Sequence, residues 1–180
     1  MRDLPIRTTA KGLTLIELLV AVSVGAILLV IAVPSFQEVR KNSQVAAQSN
    51  ELLALISLAK SQAIRINADV ELQLGQSADR WWAYVRLPPE DVEEDPPPDC
   101  PNIDGVVRCA QGDSVEIGPN SVSVVFNNRG HLSGASWPAG STIFLKHEAC
   151  AGGRQHRRID IRPTGQVSAC SLACGATACP

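Results

Sequence analysis

Between Leu13 and Val33 the chain carries 21 residues with a single charge, Glu17. A bilayer core of about 30 Å takes about 20 residues of helix to cross. In lipid a lone apolar segment satisfies its backbone polar groups only as a helix. Arg2, Arg7 and Lys11 precede the run, and positive charge beside a span keeps that end cytoplasmic. The chain beyond Val33 is therefore expected on the exported side.

Glu17 is the anomaly in this run. A carboxylate inside a transmembrane helix costs about 2–3 kcal/mol at the bilayer centre, although near one end of a span it can reach the interface. An ordinary signal anchor with a tolerated acid is one reading. Another starts from Gly12. Cleavage after Gly12 would give Leu13 a new amine four residues before Glu17. The same amine on a neighbouring chain would neutralise the carboxylate if several such helices pack together. A secretory signal peptide fits less well, because its apolar region is about 7–15 residues long and ends at a small-residue cleavage site.

The stretch K-G-L-T-L-I-E-L-L-V, closed by Pro34, resembles the class III signal of type IV pilins and type II secretion pseudopilins. The resemblance implies that a prepilin peptidase cuts after Gly12 and methylates the amine of Leu13. It also implies that Glu17, the fifth mature position, guides docking into a growing filament. Leu13 stands where phenylalanine is usual in that family.

The remaining chain suffices for one compact domain. Net charge is −2; losing residues 1–12, with three cations and one anion, would make it −4. Neither value selects nucleic acid as a partner of the whole molecule. Six cysteines, Cys100, Cys109, Cys150, Cys170, Cys174 and Cys179, all follow the span. An even count confined to the exported part indicates an oxidising compartment such as a periplasm.

Pro34 is expected to kink or loosen the helix. Beyond it, Val45, Leu52, Ile56, Ala59, Ala63 and Ile66 share one helical face, so the helix is expected to continue to about Asn67. The period then changes. Val70, Leu72 and Leu74 alternate along a strand, with Arg80 to Leu87 as its partner across G-Q-S-A-D. Neighbouring strand residues face opposite ways, so at most one of Trp81 and Trp82 is buried; packing explains them better than ligand stacking. Pro88 to Asp99, with five prolines and six acids, reads as a solvated loop; it lacks the spacing and glycine of a calcium loop. Further strands are expected at Ser114–Ile117, Ser121–Phe126, Ser141–Lys146, Arg157–Arg162 and Gln166–Ala169, separated by turn residues.

The order of long helix, hairpin and strands, with V-V-F-N-N-R-G-H-L and R-R-I-D-I-R-P-T-G-Q-V, is similar to the FimT/GspH branch of minor pseudopilins. That resemblance implies two small antiparallel sheets against the helix. Gln166 replaces an arginine usual in the family's terminal strand.

Three histidines, His131, His147 and His156, raise the question of catalysis. No nucleophile elbow, metalloprotease, P-loop or dinucleotide motif accompanies them. The late cysteines with His147 or His156 have poor zinc spacing and no CxxC, so disulfides are favoured. A local Cys100–Cys109 bridge is the first choice there. For the last four cysteines, Cys150–Cys170 with Cys174–Cys179 is one pairing of three. Arg154, Arg157, Arg158 and Arg162 crowd into nine residues, and such a cluster can contact phosphates. In some FimT relatives a basic C-terminal patch binds DNA during natural transformation. Here Asp160 and Gln166 weigh against that role, and a charged strand edge that resists aggregation explains the arginines more simply.

The expectation is an α+β, pilin-like chain. Residues 1–12 form a prepilin leader, 13–33 a transmembrane helix, 34–67 its amphipathic continuation and 68–180 a β-rich periplasmic head. It is expected to be a non-catalytic minor pseudopilin or minor pilin without metal or cofactor, anchored by one pass in the inner membrane with its N-terminus cytoplasmic. It would help to initiate or cap a filament for protein secretion or pilus assembly. The resemblance implies a prepilin peptidase, other minor and major pseudopilins and an inner-membrane assembly platform with its ATPase as partners. Alternatives are a DNA-binding minor pilin using the arginine cluster and an anchored periplasmic domain unrelated to filaments.

Overall fold

A computed structural model describes residues 12, 14–77, 80–87, 105–133, 141–150 and 153–179. The acidic loop from Pro88 to Asp99, Leu13 and Cys100 lie outside the described residues. The chain divides into two compact units, Met1–Gln37 and Glu38–Pro180.

Helix α1 runs from Leu15 to Ile66, with Pro34 inside it. Thr14 caps its start: the Thr14 hydroxyl oxygen accepts the Glu17 backbone N–H at 3.3 Å. From Leu15 to Val33 its large apolar side chains are exposed on every side, as suits a helix surrounded by lipid or by other helices. By length and composition α1 can cross a membrane. At its other end Asn67 takes a left-handed conformation with φ 56° and terminates the helix, a role that suits Gly or Asn.

Within the second unit α1 buries Val45, Ser49, Leu52, Leu55, Ile56, Ala59 and Ala63. Ser49 fills the gap between Val45 and Leu52 in the face read from sequence, and Ile66 is partly buried beside it. Two four-stranded antiparallel sheets share a core with that face. The first has the order β3-β2-β1-β5, built from β1 (Val70–Ser77), β2 (Arg80–Arg86), β3 (Val106–Asp113) and β5 (Ser121–Phe126). The second has the order β4-β6-β7-β8, built from β4 (Val115–Gly118), β6 (Ser141–His147), β7 (His156–Ile161) and β8 (Val167–Leu172). Val70, Leu72, Leu74, Val124 and Phe126 of one sheet and Ile143, Leu145, Ile159 and Ile161 of the other join the same apolar cluster. Each such side chain contributes about 1.5–3 kcal/mol when fully buried.

Strand β3 stands where the sequence predicts only a disulfide-closed loop. Its inward side chains are small: Ala110 and Gly112 are buried while Val107 and Arg108 are exposed. Apolar alternation is therefore absent. The pairing is not purely sequential either. The chain leaves the first sheet to form β4, then returns as β5 beside β1, with Leu72 opposite Val124. Strand β1 also extends to Ser77, beyond the expected turn start, and pairs there with Arg80.

Trp81 is fully buried. Trp82 faces the other way, only half-buried, and stacks on Tyr84 with centroids 5.5 Å apart. It lies across Gly75, where a Cβ would come within 2.2 Å of the indole.

The expected pairing of the late cysteines is corrected. Cys150 bonds Cys174 and Cys170 bonds Cys179, with Cα separations of 5.8 and 6.0 Å. Strand β7 lies between β6 and β8. Two strand spacings amount to about 10 Å, beyond the roughly 7 Å Cα limit for a disulfide, so Cys150 at the end of the β6 turn does not reach Cys170 on β8. The C-terminal tail instead folds back to meet both. Cys109 is also disulfide-bonded; the proposed Cys100 end lies outside the described residues.

Candidate functional site: the capped apolar helix and the faces of the head

Glu17 sits in the first turn of α1, exposed, three residues after the capping Thr14. Thr14-Leu15-Ile16-Glu17 has the S/T-x-x-E spacing of a capping box, a signal available in the sequence but not used in reading it. An acid in a first turn also complements the helix dipole. The carboxylate is thus held by regular secondary structure in the first turn of α1. Gly12 is exposed.

The arginine cluster does not form one face. Arg157 and Arg158 are adjacent on β7 and face opposite ways. Arg158 is engaged within the head. Its Nε donates to both carboxylate oxygens of Asp160 at 2.9 and 3.0 Å. Its Nη1 donates to the Thr177 carbonyl at 2.7 Å, and its guanidinium lies 5.9 Å from the Phe144 ring centre. Arg162 follows the end of β7 and donates to Gln166 Oε1 at 3.1 Å. Gln166 thus accepts from a member of the cluster, Arg162, across the turn that follows β7. Arg154 lies exposed in the turn before β7.

A groove of about 440 Å³ opens beside the outer face of the second sheet, lined by Gln76, Glu116, Gly118, Phe144, Lys146 and His156 among others. Lys146 and Glu116 lie 3.5 Å apart within it, both well exposed, so their attraction is weak. His156 is 7 % exposed. Burial is the first cause that holds its imidazole below the ordinary value, partly offset by nearby carbonyls of Ala173 and Ala176. Among the described residues no three His, Cys, Asp or Glu side chains are grouped to hold a metal ion. Cys150, Cys170, Cys174 and Cys179 are committed to disulfides.

Two turns carry the sequence stretches that pointed to the family. Asn127 Oδ1 accepts the N–H groups of Arg129 and His131, each at 3.0 Å. This closes the N-N-R-G-H turn and brings Gly130 to φ +73°. Gly165, in the turn of R-P-T-G-Q-V, sits against it: a Cβ there would lie 1.9 Å from the Gly130 carbonyl oxygen. Lys60 of α1 donates to the Gly165 carbonyl at 3.0 Å. The two glycines thus allow a close backbone approach that docks both sheets' turns on the helix.

A family model described as type II transport protein GspH matches residues 48–165, which cover α1 from Gln48 through β7 and the Gly165 turn. The chain belongs to the GspH family. A second model, the prokaryotic N-terminal methylation motif, matches residues 7–33. Together they identify a GspH/FimT-like minor pseudopilin of the type II secretion or type IV pilus kind, and pseudopilins are structural subunits. Searches of the curated proteins and of the solved structures found no significant match to the chain. The apolar start of α1 and the methylation motif are consistent with a single-pass inner-membrane protein.

Proposed function

We propose that this chain is a minor pseudopilin that leaves the inner membrane to initiate or cap a filament serving protein secretion or pilus assembly. A prepilin peptidase hydrolyses the Gly12–Leu13 bond and methylates the new Leu13 amine. The all-round apolar half of α1 passes from lipid into contact with neighbouring helices. Glu17, set in the first turn, meets the N-terminal amine of the adjacent subunit and fixes the axial register. The head, on the periplasmic side, presents its sheets to other minor and major pseudopilins, and the inner-membrane assembly platform drives the step. The observation that carries this reading is the methylation motif over residues 7–33 followed on one chain by the GspH match from residue 48.

Glu17→Ala tests it. The reading expects normal membrane insertion, because the apolar run is untouched, and loss of co-assembly with the partner pseudopilins. Unchanged assembly would overturn the role of Glu17.

A further inference from the structure

Four segments of the head meet at the turn after β6. The Glu148 N–H donates to the Ser114 carbonyl at the entry to β4, at 3.2 Å. The His147 N–H donates to the Gln155 carbonyl just before β7, at 3.0 Å. Lys41 on α1 donates to the Ala149 carbonyl at 3.2 Å. Cys150 ties the same turn to the C-terminal tail through Cys174.

His147 sits inside this junction, 7 % exposed. Its Nδ1 accepts the Ala149 N–H at 3.0 Å, so Nδ1 carries a lone pair and no proton. Its Nε2 lies 3.3 Å from Gln44 Oε1 on α1. That oxygen is an acceptor, so the ring proton belongs on Nε2. The neutral Nε2–H tautomer therefore satisfies both contacts. A second proton has only Nδ1 to go to, and there it would face the Ala149 N–H donor head on.

We propose that His147 is a proton-operated latch: neutral, its ring joins the Ala149 N–H to Gln44 on α1, and protonation at Nδ1 expels the Ala149 N–H and loosens the 147–150 turn while Nε2–H keeps its bond to Gln44. The charged groups around the ring favour the latched form. Lys41 from α1 opposes the imidazolium and Glu148 from the turn itself favours it, while β4 faces the ring's strand position with Val115 and the segment before β7 brings uncharged Gln155. Burial first, and Lys41 after it, hold the ring below its ordinary value of 6.5. In acid the turn opens while the Cys150–Cys174 bond keeps the tail tethered, so loosening stays local.

The test uses the full chain in detergent micelles. Imidazole ¹⁵N shifts report the tautomer, and amide exchange at Ala149, corrected for intrinsic chemistry, reports the latch. The expected result is the Nε2–H tautomer at pH 7.5. Ala149 protection should fall by up to about tenfold per pH unit below 6.5, with the midpoint of the His147 ring. In His147→Gln that pH dependence disappears, and in His156→Gln it stays. An Nδ1–H tautomer at neutral pH would overturn the proposal without any variant. So would an Ala149 midpoint that follows His156→Gln instead, or protection that does not change with pH in the unaltered chain.

Discussion

Gln48 on α1 accepts the indole N–H of Trp81 on β2 at 2.6 Å, and its amide nitrogen donates to the Asp113 carbonyl at the end of β3, at 3.0 Å. One side chain therefore ties the helix to two strands of the first sheet. Gly112 makes room for it: a Cβ there would come within 2.4 Å of Trp81 Nε1 and 2.5 Å of Gln48 Oε1. Gly112→Ala is expected to cost about 1–3 kcal/mol by overpacking, which lowers the melting temperature by about 2–12 °C for a chain of this size. Gln48→Leu leaves the indole N–H buried and unpaired and is expected to cost a similar 1–3 kcal/mol or so. Thermal unfolding followed by the near-ultraviolet signal of tryptophan checks both.

The paired turns predict a contrast between two glycines. Gly165 and Gly175 both have positive φ, 69° and 84°, so each replacement by alanine meets the left-handed penalty of about 1–2 kcal/mol. Only Gly165 also has a backbone oxygen 1.9 Å from the new Cβ, whereas nothing lies within 4 Å at Gly175. Gly165→Ala is therefore expected to destabilise by well over about 2 kcal/mol and Gly175→Ala by no more than that. Equal melting temperatures for the two variants would contradict the turn-on-turn packing.

The two buried histidines give a pH dependence with a definite sign. Burial lowers both His147 and His156 from 6.5 in the folded head. The unfolded chain then binds more protons than the folded chain below that value, so stability rises with pH. Their contribution is fully present above 6.5 and is lost as pH falls through the lowered folded values. Melting temperature is expected to drop between pH 7.5 and 5.5, and to drop less in His147→Gln. A flat profile in the unaltered chain would contradict it.

The two tail disulfides close loops of unequal length, with sequence separations of 24 and 9. Chain entropy assigns the Cys150–Cys174 bond about 3.5 kcal/mol and the Cys170–Cys179 bond about 2.7 kcal/mol. Replacing Cys150 and Cys174 together by serine should therefore cost more than replacing Cys170 and Cys179. Denaturant unfolding of the two double variants measures the order.

Much of this architecture was legible where side chains are large and periodic. The 21-residue apolar run, the face from Val45 to Ala63 and the alternation of Val70, Leu72 and Leu74 each named their element. Legibility failed where geometry rests on small residues or on distant segments. Ala110 and Gly112 hid β3, because a buried strand face made of small side chains shows no apolar alternation. The disulfide pairing depends on β7 lying between β6 and β8, and strand order is not a local property. The strand pleat already puts Arg157 and Arg158 on opposite faces in the sequence, but the engagement of Arg158 by Asp160 two residues on is a matter of side-chain geometry that the sequence does not show. Thr14 as the helix cap was written in the T-L-I-E spacing beside the acid that drew attention first.

Processing and filament assembly both run through the first helical turn of the chain in the function proposed above. Intact mass with N-terminal fragmentation, on protein extracted from its native membrane, tests that function most directly. Cleavage and methylation by a prepilin peptidase predict a chain that begins at Leu13 and carries one added methyl group. A chain that begins at Met1, or that is cut elsewhere, would contradict the proposed function and leave Glu17 an unexplained acid in an anchor.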